Sequence, residues 1–366
     1  MSNKINLFDL KTQKNRISKK IDKRISAVLD HGQFIKGPEV AELEEKLAEY
    51  VGVKHCITCG NGTDAIMVAL MALGVCPGDE ILVPSFTYAA SAEPISLLGA
   101  VPVFVNVDER TFNFDLDDAK QRITDKTVGM VVASLYGQCA DYHSINQFSQ
   151  NNNLFVLEDG AQSFGAKIDD KRSCSFTDIA TTSFFPTKPL GCFGDGGAIF
   201  TDNDELGHLA RQISTHGQEK KYEHVRLGVN SRLDTLQAAI ILEKINIFDE
   251  EIDLRNSIAS SYESLINNEL ITKPKIQNGH QSVYALYTLK TDNRDDLVKL
   301  LKERDIPTGI YYQIPLHKQK AFSDGVSKKL ERTEILCGKV LSIPMHPYLK
   351  SADIDTIVNT LNEFKL

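Results

Sequence analysis

What most constrains this chain is an alternation, from about residue 40 onward, of short apolar or β-branched runs with stretches of helical period. The runs at 81–83, 101–107, 128–135, 155–157, 181–185 and 198–201 have the length and apolar content of buried strands. Between them, 40–50 puts Val40, Leu43, Leu47 and Tyr50 on one stripe, and 64–73 follows the turn Gly60-Asn61-Gly62-Thr63. Strands joined through helices cannot pair as hairpins. The alternation therefore predicts an α/β fold with a mostly parallel sheet covered by helices.

The pattern changes near residue 248. Residues 231–248 read as a long helix with an apolar stripe, and a second helix over 251–265 continues from it. An alternating strand at 283–290, a helix at 294–303 and a last helix at 352–364 follow. A chain of 366 residues suits two domains. We expect a large domain over 1–248 and a smaller C-terminal α/β domain over 249–366.

Composition narrows the function. A formal net charge of -8 is a poor basis for holding a nucleic-acid backbone, which needs a positive footprint, so no nucleic-acid partner is expected. No apolar run reaches the roughly 18 residues of a membrane span, and the first residues mix charges where a signal peptide needs an apolar core. Seven scattered cysteines, an odd number, fit reduced thiols in the cytoplasm. Cys56 and Cys59 form a C-x-x-C with no second pair at metal spacing, so no metal site is expected.

Ligands of an open α/β sheet gather at the C-terminal strand ends. Several useful side chains follow strands: Phe86 and Tyr88 after 81–83, Asp159 after 155–157, and Ser183 and Lys188 around the end of 181–185. Together they match what pyridoxal 5′-phosphate (PLP) requires: a lysine for a Schiff base, an acid for the pyridinium nitrogen, a phosphate cradle and a flat contact for the ring. Lys188 is the only charge in 180–194, and partial desolvation there favours its free amine; on its own it could be a solvated surface lysine. Asp159 is the candidate for the ring nitrogen, although Asp also suits a helix N-cap. Gln162, one turn on, could donate to the ring hydroxyl or be plain surface. Gly62 and Thr63 open a helix whose free amides and dipole favour an anion, with Ser183 as a further donor; taken alone this is equally a simple cap. Tyr88, or else Phe86, would stack on the ring, and either could belong to the core.

With these residues assembled, the chain resembles the DegT/StrS-type sugar aminotransferases nearly end to end. The likeness is carried by Gly37-Pro38-Glu39, Asn61-Gly62-Thr63-Asp64-Ala65, Pro84-Ser85-Phe86-Thr87-Tyr88, Leu135-Tyr136-Gly137-Gln138, Glu158-Asp159-Gly160-Ala161-Gln162, Ser183-Phe184-Phe185-Pro186-Thr187-Lys188, Gly194-Asp195-Gly196-Gly197 and Gly228-Val229-Asn230-Ser231-Arg232-Leu233. The resemblance implies the aspartate aminotransferase fold (fold type I), with Lys188 as the Schiff-base lysine and catalytic residue. It implies cofactor contacts from Gly62, Thr63, Tyr88, Asp159, Gln162 and Ser183. It further implies a homodimer with shared active sites, in which Asn230 reaches the partner's phosphate and Arg232 faces the sugar nucleotide; Arg232 could equally make a helix-start salt bridge. Relatives that carry histidine in place of the lysine act as dehydratases, so Lys188 favours transamination.

A subgroup likeness rests on His216-Gly217-Gln218, Tyr222-Glu223-His224, Ile314-Pro315-Leu316 and Pro344-Met345-His346-Pro347-Tyr348. It implies L-glutamate as amino donor and UDP-2-acetamido-2-deoxy-3-keto-glucuronate as acceptor. A 4-keto or 3-keto 6-deoxy nucleotide sugar is the alternative. A non-enzymatic PLP-fold regulator would need a missing lysine or an added DNA-binding segment, and neither is present. Gly160, where many relatives carry Ala, is a departure beside Asp159. Candidate sugar-side contacts are Tyr312, His317 and the 31–38 segment with His31, Phe34 and Lys36, although Tyr312 could simply pack under the small domain.

Overall fold

The computed structural model describes residues 5–322 and 329–365. Its centre is a seven-stranded sheet of β1 (His55–Cys59), β2 (Glu80–Pro84), β3 (Val101–Val105), β4 (Thr127–Ala133), β5 (Phe155–Asp159), β6 (Ile179–Ser183) and β7 (Gly197–Thr201), in the order β1-β7-β6-β5-β4-β2-β3. The pairs β2/β3, β2/β4, β4/β5 and β5/β6 are parallel. β7 runs antiparallel to both neighbours, β1 and β6.

The runs are apolar throughout because both faces are covered. Successive residues of β4 and β5 point to opposite faces: Met130, Val132 and Val156 enter one core, Val131 and Leu157 the other. Helix α2 (Pro38–Val51) covers the first face with Leu43 and Leu47, and α3 (Gly62–Ala72) covers the second with Ile66, Ala69 and Leu70; α4 (Tyr142–Asn152) and α5 (Asp204–Ile213) follow along the chain.

Two features were not legible in the alternation. Cys56 and Cys59 lie in the buried strand β1, and all seven thiols are free. Ahead of it, residues Leu10–His31 form a 22-residue helix, α1. It is capped by the Asp9 side chain, which accepts from Thr12 N at 2.9 Å, and it ends at Gly32 with φ 70°. Its Ile17 and Ile21 pack on Ile240. Ile25 packs against the same cluster and Val28 is buried on the same stripe, which was overlooked among the many lysines.

The long helix expected over 231–248 is shorter. It spans Thr235–Lys244 (α6), because Thr235 N is taken by Phe34 O at 2.9 Å and Asp234 bridges to Ile35, which holds 231–234 extended. A 3-10 turn separates it from α7 (Phe248–Leu265). The expected boundary at 248 lies at the first turn of α7, whose residues change core between Ile252 and Ile258. The second core joins Ile258 and Tyr262 to a two-stranded antiparallel sheet of β8 (Tyr287–Lys290) and β9 (Val340–Ile343), with α8 (Arg294–Glu303), α9 (Glu331–Lys339) and α10 (Ser351–Glu363) nearby in sequence. The strand expected over 283–290 is only half formed. Val283 N and Leu286 N are drawn off to Gly137 O and Tyr136 O, at 2.9 and 3.3 Å.

His346, 5% exposed, accepts from Tyr348 N through Nδ1 at 3.3 Å. Burial pushes its pKa down to about 4, against the pull of Asp9. The unfolded chain takes up this proton near pH 6.5 and the folded chain only near 4, so stability should fall as pH drops through that window. The loss reaches about 3 kcal/mol at the lower end. Urea unfolding at pH 7 and pH 4.5 should show a shallower fall in His346→Gln than in the wild type.

No helix among the described residues is long and apolar enough to cross a membrane. None of their His, Cys, Asp or Glu clusters could hold a metal ion.

Candidate active site

A cavity of about 640 Å³ opens at the C-terminal ends of β4, β5 and β6, lined among others by Gly62, Thr63, Tyr88, Asp159, Gln162, Ser183, Lys188 and Tyr312. The parallel strands aim their ends one way, so residues far apart in sequence meet there. Asp159 is the last residue of β5 and is 9% exposed. Ser91 Oγ donates to its Oδ2 at 2.6 Å and Ala161 N to its Oδ1 at 3.1 Å; Thr87 Oγ1 backs Ser91 at 3.0 Å. Gln162 follows in a turn. Its Oε1 accepts from Tyr136 N at 2.8 Å, which fixes the amide so that Nε2 faces Tyr312 OH at 3.2 Å.

Lys188 lies in the loop after β6, with its N donating to Phe185 O at 2.9 Å. The residue stays partly exposed through the cavity. Even so, desolvation lowers the pKa of its amine, and the Asp159 carboxylate pulls the other way.

Helix α3 starts at the cavity with Gly62 and Thr63. Its cap is Asn61, whose Oδ1 accepts from Asp64 N at 2.8 Å, so Thr63 is not the capping residue. A Cβ at position 62 would come within 2.7 Å of Ser183 Cβ, so only glycine lets the helix start approach the end of β6. Gly62→Ala should therefore lower stability by about 1–3 kcal/mol, the usual cost of overpacking, read as a reduced urea midpoint with an unchanged slope.

The aromatic candidates separate. Tyr88 is 59% exposed in the cavity, with its ring centroid 6.3 Å from that of Tyr312. Phe86 is fully buried in a core cluster with Phe112 and Tyr136.

Other predicted residues lie elsewhere. Arg232 lines a second cavity of about 140 Å³ with Lys36, Arg211 and Glu44. Burial lowers the pKa of Lys36 there, helped by Arg211. Asn230 is exposed and bridges to Thr215. Phe34 is exposed outside both cavities, and His31 Nε2 pairs with Glu39 Oε1 at 3.2 Å. His317 does not line the cavity. It is 6% exposed and bonded to Ser85 and Glu334. Sequence reasoning missed Ser91, in an Ala-rich run without a motif, and the amide of Tyr136, which any residue type could supply.

A family model described as the DegT/DnrJ/EryC1/StrS aminotransferase family matches residues 15–362. The chain belongs to that family. This aminotransferase is 52% identical, over 98% of its length and 99% of the other's, to a Pseudomonas aeruginosa protein named UDP-2-acetamido-2-deoxy-3-oxo-D-glucuronate aminotransferase. Among solved structures it is similar to S. venezuelae DesV in complex with a ketimine intermediate, with TM-score 0.96 and 34% identity over 99% of this chain and 98% of that one. It is also similar to Bacillus subtilis ntda with bound cofactor PMP, with TM-score 0.89 and 32% identity over 95% and 81% of the two chains. The fold is the type I fold of PLP enzymes, and the cofactor is pyridoxal 5′-phosphate.

Proposed function

We propose that this aminotransferase moves the amino group of L-glutamate to C3 of UDP-2-acetamido-2-deoxy-3-keto-glucuronate. The product is UDP-2-acetamido-3-amino-2,3-dideoxyglucuronate, a precursor of bacterial surface polysaccharide. The observation that carries the reading is the 52% identity, end to end in both chains, with the Pseudomonas aeruginosa protein named for that substrate.

The residues around the cavity suit the cofactor. Lys188 would hold it covalently, Asp159 would face the ring nitrogen, Gln162 the ring hydroxyl and Tyr88 the ring. Gly62, Thr63 and Ser183 would hold the phosphate, brought together because the missing Cβ lets the helix start approach Ser183. When bound, the cofactor supplies the aldehyde that carries the amino group and a ring that takes up the electrons of the broken C–H bond. The chain's own part is to place groups and move a proton. Burial favours a neutral Lys188 amine, which can accept a proton from the substrate carbon and return it. Ser91 and Ala161 N keep the Asp159 carboxylate in place through both halves of the reaction.

The working unit in this reading is a cytoplasmic homodimer with shared sites. Asn230 and Arg232 lie outside the Lys188 cavity, as residues serving the partner's site would. The hairpin of Gln218–Lys220 and Glu223–His224 exposes Tyr222 at 80%, and Leu227 beyond it at 88%, apolar surface that a second copy would cover. Tyr312, Arg232 and Phe34 are the proposed sugar-side contacts, with Arg232 and Phe34 outside the Lys188 cavity.

The test is mass spectrometry of the product formed from enzyme, glutamate and a panel of keto-sugar nucleotides. Amination of the 3-keto glucuronate is expected to dominate. A preference for a 4-keto 6-deoxy sugar would overturn the assignment while leaving the reaction class intact.

A further inference from the structure

Tyr312 reaches the cavity from a connecting segment whose described residues hold two short 3-10 turns, Leu316–Lys318 and Lys320–Phe322. A hydroxyl used to orient a ligand needs its backbone held by something rigid. Upstream the anchors are plain: Gly309 and Ser342 exchange backbone bonds of 3.0 and 2.7 Å, and Tyr136 OH donates to Tyr311 O. Downstream the work falls to a buried polar chain. We propose that His317 is a positioning residue, which with Ser85 and Glu334 fixes the segment carrying Tyr312 into the cavity. The consequence for catalysis rests on the reading of Tyr312 as a sugar-side contact.

The polarity of the chain follows from its members. Lys318, and then His317, hold the Glu334 carboxyl down to about 2, so it only accepts. It accepts Leu330 N at 3.3 Å and faces His317 Nε2 at 3.2 Å, so Nε2 carries the ring proton. Burial lowers the pKa of His317 against the pull of the Glu334 carboxylate, which favours the neutral ring, and with Nε2 facing Glu334 this leaves Nδ1 as the acceptor. Ser85 Oγ, 2.6 Å from Nδ1, must donate to it. The same Oγ accepts His317 N at 3.2 Å, and Ser85 O accepts Leu316 N at 2.8 Å.

Both ends of the chain are fixed. Ser85 directly follows β2 and is fully buried. Glu334 is on α9, where its neighbour Thr333 bonds Asn106 Oδ1 through N and Oγ1, at 3.2 and 3.1 Å. A serine, histidine and glutamate in a row could otherwise be taken for a nucleophile with its base. Ser85, however, has no exposed surface, lines no cavity described above, and has committed its proton to Nδ1.

Two variants test this in the cofactor-loaded enzyme. Ser85→Ala removes one hydroxyl, and His317→Leu removes both ring bonds. Amide hydrogen exchange of the peptide spanning 309–318 is expected to speed up about tenfold in Ser85→Ala, the scale of one buried hydrogen bond, with α3 unchanged. Unchanged exchange in that peptide overturns the proposal. The second reading is a double-mutant cycle with Tyr312→Phe on KM for the sugar nucleotide, where the two effects are expected to be strongly non-additive. Full additivity also overturns the proposal, since His317 would then not act through Tyr312. Should Tyr312→Phe alone leave KM unchanged, the sugar-contact reading of Tyr312 fails, and hydrogen exchange alone decides the fastening. Ser85→Ala supplies the same readings if His317→Leu does not fold.

Discussion

Lys188→Ala is expected to fold and to lose turnover by about 10,000-fold or more, the upper end of what a positioned acid–base group contributes. The loss should be this large because one amine is assigned two jobs, holding the cofactor and moving the proton. Folding should survive, because no ion pair among the described residues involves Lys188 and its desolvated amine opposes burial. Circular dichroism and the urea midpoint check the fold, and steady-state kinetics with glutamate check the loss. Near-normal transamination by the purified variant would sink the assignment. So would borohydride trapping of the wild type that maps the pyridoxyl adduct to any other position.

Asp159→Ala should cost about 100-fold or more in turnover. It should also cost roughly 1–3 kcal/mol of stability, because Ser91 Oγ and Ala161 N would lose their buried acceptor. The two effects separate in Asp159→Asn, which keeps an acceptor oxygen but no negative charge. That variant should recover most of the urea midpoint and little of the activity. An asparagine enzyme with full turnover would mean that the carboxylate only ties the end of β5 to Ser91.

These two residues also mark what was readable beforehand. Lys188 stood out because 180–194 has no other charge, and Asp159 because it follows an apolar run short enough to be a strand. Ser91, which grips Asp159, had no such signal, since its partner is 68 residues away. His317, a candidate sugar-side contact in the sequence, has both ring nitrogens bonded in the fold, to Ser85 and Glu334. The helix read as starting at 231 was overextended for a similar reason: its pattern holds, but Phe34 O captures the amide of Thr235.

By itself, the order of residues marked most strands of the central sheet and the helices α2 and α3, and it placed Asp159 and Ser183 near strand ends. Those outcomes depend on local period and burial, which neighbours in sequence already encode. Only the tertiary structure decided that β7 runs against its neighbours, that Gly62 must lack a Cβ beside Ser183, and how Gln162 is oriented between Tyr136 and Tyr312. Each of these depends on atoms that approach within a few ångströms from distant parts of the chain, a coincidence in space that no local pattern carries.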